Sequence, residues 1–125
     1  MSEHCDQSIL IPTGSEVVTG STRLKAGTAT KLVLNQITTG AMIRSGRVLG
    51  NLMISLTPTC EKLVDRSLRI LVKATGCTRE EAAGYLDRAD RSVSLAILLA
   101  KSNLSVDEAK QRLVDEPLNI VLQKL

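Results

Sequence analysis

Aromatic residues are nearly missing from this chain. Of its 125 residues only Tyr85 carries a ring, with no Trp and no Phe. That excludes the stacking platforms that hold single-stranded nucleic acid. It also leaves any core to Leu, Ile, Val, Met and Ala, a composition that favours helix packing. Acids are missing over one long stretch: between Val17 and Cys60 there is no Asp or Glu, while Arg23, Lys25, Lys31, Arg44 and Arg47 all fall inside it. The local field there is clearer than the net charge of +3 suggests. From Glu61 onward acids nearly balance bases, which argues against a nucleic-acid-binding face on the later helices. The cysteines, Cys5, Cys60 and Cys77, are odd in number and widely spaced, with no CxxC pair and no neighbouring His. A disulfide framework and a metal site are both excluded on that pattern, and reduced thiols are expected. Long apolar runs are lacking too: the best, Val93 to Ala100, is far too short to span a bilayer. The opening MSEHCDQS is polar and acidic, unlike a signal peptide. A soluble, cytoplasmic chain without cofactor or metal is the expectation.

What is present centres on Gly14 to Asn35, GSEVVTGSTRLKAGTATKLVLN. Val17 and Val18 end an extended approach, Gly20 permits a tight turn, and Ser21 or Thr22 is placed to cap the helix that follows. Thr19, Ser21, Thr22 and Thr28 surround that start together with the cations Arg23 and Lys25. Unpaired backbone N–H groups and the positive end of the helix dipole favour an anion, above all a phosphate. The same spacing also suits an ordinary capped helix with a solvated basic start. Thr28 and Lys31 lie one turn deeper. Glu16 is the only carboxylate beside the loop. It either bonds sugar hydroxyls or ties the loop to nearby backbone N–H groups.

In chain order, Met1 to Gln7 read as a frayed lead-in with His4 exposed. Ser8 to Thr13 (SILIPT) reads as a short buried strand ended by Pro12 and Gly14. One long helix is predicted from Arg23 to about Arg44. Ala26, Ala29, Val33, Ile37 and Ala41 share a face, and Leu32, Leu34 and Met42 widen the apolar arc until a mostly buried helix is expected. Ser45-Gly46 and Gly50-Asn51 punctuate a turn-rich connection around Val48 and Leu49; Asn51 to Leu56 fits a strand or a buried loop. Thr57-Pro58 predicts a helix start with Thr57 as cap and Glu61 in the first turn. Leu63, Ser67, Leu68, Ile70, Leu71 and Ala74 are its buried side, Arg66, Arg69 and Lys73 its wet side, and Gly76 its terminator.

The last fifty residues hold a short repeat. Thr78 to Leu86 parallels Ser105 to Leu113, and each begins with a capping box, S/T-x-x-E. Between them lies the more apolar Ser92 to Lys101, and Pro117 opens a final helix carrying Leu118, Val121, Leu122 and Leu125. The result is a small bundle with short loops. It resembles ubiquitin-associated-type folds, an analogy that says nothing about ubiquitin.

The string TGSTRLKAGTATKLVLN preceded by GSEV, then TTGAMIRSGRVLGNLM, EKL and ATGC, resembles the N-acetylmuramic acid 6-phosphate etherases, and its signature also that of the glucokinase regulatory proteins. Both families are built on the sugar isomerase fold. The resemblance covers nearly everything after the first dozen residues and implies the C-terminal portion of a protein more than twice as long. Under it, 1–56 is the end of an α/β sugar-phosphate domain, a short strand plus a long helix, and 57–125 is a small helical domain, mainly α overall. An isolated end of a parallel sheet should expose apolar surface. The resemblance further implies elimination across C2 and C3 of the sugar, then addition of water, to give N-acetylglucosamine 6-phosphate and lactate. The family's catalytic glutamates belong to the N-terminal part, which has no counterpart here, so no catalytic residue is assigned. Glu16, Ser21, Thr22, Arg23 and Lys25 are the candidate substrate-binding residues. The partners implied are a sugar phosphate and either a second copy or an N-terminal sugar isomerase half. Two positions depart from the etherase pattern: Ser55 stands where Asp is usual, and Cys60 where Asn usually precedes EKL. Cys60 at a helix start suits a lowered thiol pKa, but a buried inert thiol is the expectation. The competing reading is a non-catalytic sugar-phosphate sensor akin to the glucokinase regulatory proteins.

Overall fold

The computed structural model describes residues 4–125, so Met1 to Glu3 of the expected lead-in lie outside it; His4 is exposed. Contacts partition the chain into two compact units, one ending at Ala41 and one running Met42–Leu125.

The first unit holds the loop and most of α1, Lys25–Arg44. The expected long helix is there, starting two residues later than Arg23. The expected strand over Ser8 to Thr13 is not: the segment is irregular, and Ile9 and Leu10 are 64% and 89% exposed. A short run with strand-forming side chains becomes a strand only when a neighbour pairs its N–H and C=O groups. Nor is α1 buried. None of its residues is, and Leu32, Leu34, Ile37, Met42 and Ile43 are each at least half exposed. What does hold is the expectation that apolar surface would be left open.

α1 ends in a Schellman motif. The Gly46 N–H donates to Ile43 O at 3.0 Å and the Arg47 N–H to Met42 O at 3.1 Å, with Gly46 at φ 73°. Those bonds satisfy carbonyls the last turn would otherwise leave open. A two-residue loop, Gly50-Asn51, then closes a hairpin of β1 (Val48–Leu49) and β2 (Leu52–Met53), paired Val48 with Met53 and Leu49 with Leu52. The Ile54 N–H donates to Arg47 O at 3.1 Å, which carries the ladder one step further, and Ile54 is buried.

The remaining helices are α2 (Glu61–Thr75), α3 (Arg79–Arg88), α4 (Val93–Lys101), α5 (Val106–Asp115) and α6 (Leu118–Gln123). α4 packs against α2, α3, α5 and α6. That position explains its composition. A helix enclosed on all sides must be apolar all round, and Val93, Leu95, Ala96, Ile97, Leu98 and Leu99 are all buried. Leu68, Ile70 and Leu71 from α2, Ala82 and Leu86 from α3, Ala109 from α5, and Leu118 and Val121 from α6 complete the core. Buried Ser67 is satisfied by donating to Leu63 O at 2.8 Å.

Both capping boxes form. The Thr78 N–H donates to Glu81 Oε2 at 2.8 Å and the Glu81 N–H to Thr78 Oγ1 at 3.2 Å; Ser105 and Glu108 repeat the exchange at 2.9 and 3.3 Å. Ser92 caps α4, and Gly76 terminates α2 through its N–H bond to Val72 O. The start of α2 differs from expectation. Its N-cap is Cys60, without a side-chain bond, and not Thr57. Pro58 is buried and its carbonyl accepts from Arg91 Nη1 at 3.1 Å, so 57–60 is held as an extended strap and the helix waits until Glu61. Arg91 itself follows Asp90 through a corner in which both residues have positive φ, 48° and 62°. Cys60 is exposed, not the buried thiol expected: it sits at the N-cap and makes no side-chain bond to the helix.

Candidate functional site

The loop before α1 turns once before the helix begins. The Ser21 N–H donates to Val18 O at 3.1 Å, closing a four-residue turn with Gly20 at φ 83°. Arg23 and Leu24 make a second turn, and the Thr28 N–H to Leu24 O bond, 3.0 Å, follows into the helix.

The helix start is held from nine and ten residues upstream. Glu16 Oε2 accepts from the Lys25 N–H at 3.0 Å and Oε1 from the Ala26 N–H at 2.9 Å. One carboxylate thus satisfies two of the orphan donors of α1 and lies at the positive end of its dipole. Ser21 and Thr22, expected as caps, do not serve: among the described residues neither hydroxyl bonds to the helix start. The physical reason is reach. With the helix beginning at Lys25, both residues precede its first turn by too much, and the bidentate carboxylate takes the position.

The electrostatics follow the geometry. The Ala26 and Lys25 N–H bonds, with the Lys25 charge adding to them, hold the Glu16 carboxyl below its ordinary value of 4.5. The Lys25 ammonium bends back over the loop, 3.9 Å from where a side chain on Gly14 would begin. Glu16, Lys25 and the start of α1 are therefore brought together. Ser21 is half-buried, whereas Thr22, Arg23 and Lys25 are exposed. Thr28 and Lys31 are exposed along α1, and among the described residues no hydrogen bond or ion pair ties them to Glu16. A depressed carboxyl pKa means the unfolded chain binds the proton more readily. The cap is then complete above about pH 4.5 and is lost as pH falls through the lower folded value. Amide exchange at Lys25 and Ala26, followed downward from pH 6, should accelerate beyond the intrinsic rate in that window. In Glu16→Gln the extra, pH-dependent acceleration should disappear.

Ser55 and Cys60, read in the sequence as departures from the pattern it resembles, have defined surroundings. Ser55 Oγ accepts from Arg47 Nη1 at 3.2 Å. Ser55 and Cys60 line separate clefts of about 300 and 410 Å³, and Arg91 lines both. The sequence had pointed to both residues by their departure, but not to Arg91, whose role depends on contact across 33 positions. Among the described residues no three His, Cys, Asp or Glu side chains gather as a metal site would need, and no helix is long and apolar enough to cross a membrane.

No family model matches the chain. Curated proteins do. The chain is 52% identical over 113 residues to N-acetylmuramic acid 6-phosphate etherase 2 of Vibrio parahaemolyticus, covering 90% of this chain and 38% of that protein. It is 50% identical over 113 residues to N-acetylmuramic acid 6-phosphate etherase of Oenococcus oeni, again 90% and 38%. To the protein of that name in Clostridium beijerinckii it is 55% identical over 106 residues, 85% of this chain and 35% of the relative. The chain therefore spans a little over a third of the curated relatives it matches, and the match falls on their C-terminal portion. The resemblance to the etherases is borne out.

Proposed function

We infer from this match that the chain acts as the C-terminal part of an N-acetylmuramic acid 6-phosphate etherase. On this reading 1–56 is the end of a sugar isomerase-type domain, and 57–125 is a small helical domain of the ubiquitin-associated arrangement. The observation that carries it is identity of 52% sustained over 90% of the chain. The reaction would be cleavage of the lactyl ether to N-acetylglucosamine 6-phosphate and lactate, a step in the cytoplasmic recycling of cell-wall amino sugars.

The substrate would be a sugar phosphate, largely dianionic at neutral pH. Arg23 and Lys25 supply fixed positive charge, and the hydroxyls of Ser21 and Thr22, without a hydrogen-bond partner among the described residues, supply donors that a phosphate or sugar oxygen can accept. Glu16 acts as a positioning residue, fixing where α1 starts and, through Lys25, where one cation stands. Proton removal at C2 and proton delivery to the ether oxygen need a general base and a general acid. Glu16 is the sole carboxylate next to the loop and both its oxygens serve backbone N–H groups. The acid–base pair is assigned, as the resemblance implies, to the larger N-terminal part of the etherases, and the engagement of Glu16 is consistent with that.

The test is turnover of N-acetylmuramic acid 6-phosphate by this chain alone and after mixing with the N-terminal part of a relative. No turnover alone and turnover on mixing is the expected pair of results. Full activity from the chain alone would overturn the assignment of the chemistry. Calorimetric binding of hexose 6-phosphates without turnover even after mixing would replace this reading with the regulatory one.

A further inference from the structure

We propose that Arg23 takes the lactyl carboxylate of the substrate, so that this loop tells N-acetylmuramic acid 6-phosphate from hexose 6-phosphates that lack the ether. The proposal rests on the functional reading above and divides the two anionic ends of that substrate. Three observations carry it.

The first is that the start of α1 is already occupied. Glu16 accepts from the Lys25 and Ala26 N–H groups, and the Thr28 N–H goes to Leu24 O. Three of the four N–H groups from Lys25 to Thr28 are therefore engaged. Thr22 O also lies over this first turn, 3.4 Å from where a side chain on Gly27 would begin. A phosphate entering here would meet a carboxylate and a carbonyl oxygen where it needs donors. The anion that the helix dipole favours is supplied from within the chain.

The second is the size of the charge. Between Gly14 and Ala26 the charged side chains are Glu16, Arg23 and Lys25, a net of one positive charge. The Lys25 charge already acts on Glu16, and its ammonium lies back over Gly14. Arg23 is exposed, and among the described residues no carboxylate pairs with it. A carboxylate matches one net positive charge. A phosphate monoester carries about −1.5 to −2 at neutral pH and calls for more.

The third is shape. A guanidinium presents paired N–H donors in one plane and a carboxylate presents paired oxygens, so the two meet through parallel bonds. The lactyl group is the part of this substrate that ends in a carboxylate, and the bond to be broken is its ether. Holding that carboxylate fixes the leaving group relative to the ring. The Ser21 and Thr22 hydroxyls, next to Arg23 in the chain, are left for sugar oxygens.

The experiment titrates the full chain with N-acetylmuramic acid, its methyl ester and N-acetylglucosamine 6-phosphate, following the 14–26 amides and the Arg23 side chain by NMR. N-acetylmuramic acid should shift these signals saturably. It should bind at least about tenfold more tightly than either other probe, the loss expected when a bidentate charged pair is removed. Arg23→Gln should erase that preference, and Arg23→Lys should recover only part of it. Lys110→Gln, at an exposed residue of α5, should leave it intact. Equal or tighter binding of N-acetylglucosamine 6-phosphate at this loop would overturn the proposal, because phosphate would then be the ligand. So would a methyl ester that binds as tightly as the free acid, or a loop that does not respond to N-acetylmuramic acid. Suppose the acid is held through Arg23, yet mixing with the N-terminal part of a relative gives no turnover of N-acetylmuramic acid 6-phosphate. The lactyl contact then stands and the etherase reading falls; turnover on mixing without that preference does the reverse.

Discussion

Truncating Ile97 to alanine is expected to lower the unfolding free energy of the 42–125 unit by about 3–4 kcal/mol, near the upper part of the range for such changes. The reason is its place. Ile97 is fully buried at the middle of α4, the helix that four others pack against. Collapse around the vacated methyl groups would have to shift several helices together, so most of the cavity should persist. A unit this small has only about 5–10 kcal/mol in total, and the midpoint of thermal unfolding should fall by roughly 15 °C. Chemical denaturation followed by circular dichroism reads the change. The paired control is Leu34→Ala on the open surface of α1, 56% exposed, which should alter stability by less than about 0.5 kcal/mol. Equal losses at the two positions would mean α4 is not the centre of the core.

Gly46→Ala is expected to cost about 2–4 kcal/mol, from two independent sources. A left-handed backbone disfavours any residue with a Cβ by roughly 1–2 kcal/mol, and Gly46 has φ 73°. A Cβ built there would also stand 2.3 Å from Pro117 Cβ, closer than any real contact, at the opening of α6. The proline ring cannot rotate away, so the backbone must move, and such overpacking costs about 1–3 kcal/mol. Gly76 separates the two sources. It has φ 79° at the end of α2, but nothing lies within 4 Å of its would-be Cβ. Gly76→Ala should therefore show the conformational cost alone. Urea unfolding of both variants gives the difference, and near-equal losses would show that Pro117 yields freely.

What could be read from the chain beforehand was what is decided within three or four residues. Thr78 with Glu81 and Ser105 with Glu108 form the boxes their spacing announces. Gly76 closes α2 where a terminator belongs. The apolar run of α4 signals enclosure because nothing polar interrupts it from Leu95 to Ala100. Features decided by remote neighbours were not legible. SILIPT has strand chemistry but no strand beside it. α1 has the composition of an enclosed helix and stands open. Thr57 looks like a cap, yet Arg91 binds the carbonyl of Pro58 and keeps the strap extended. The loop was readable in part: the Val18–Ser21 turn follows from Gly20, whereas the capping of α1 by Glu16 spans nine residues and appears in the sequence only as one of two roles open to a lone carboxylate.

The corner at Asp90 and Arg91 has a consequence for how the bundle tolerates change. Two successive side-chain-bearing residues with left-handed dihedrals store conformational energy that a less constrained residue would release. Relief is available at only one of them. Arg91 sends its guanidinium across to the Pro58 carbonyl, and removing it would free the strap that sets the beginning of α2. Asp90 contributes its backbone to the corner, donating to Asp87 O, and glycine or asparagine would keep that bond at lower cost. Neighbouring positions with the same backbone strain thus stand under opposite constraints: 90 is free to drift toward a more permissive residue, and 91 is anchored by what it holds on the far side of the fold.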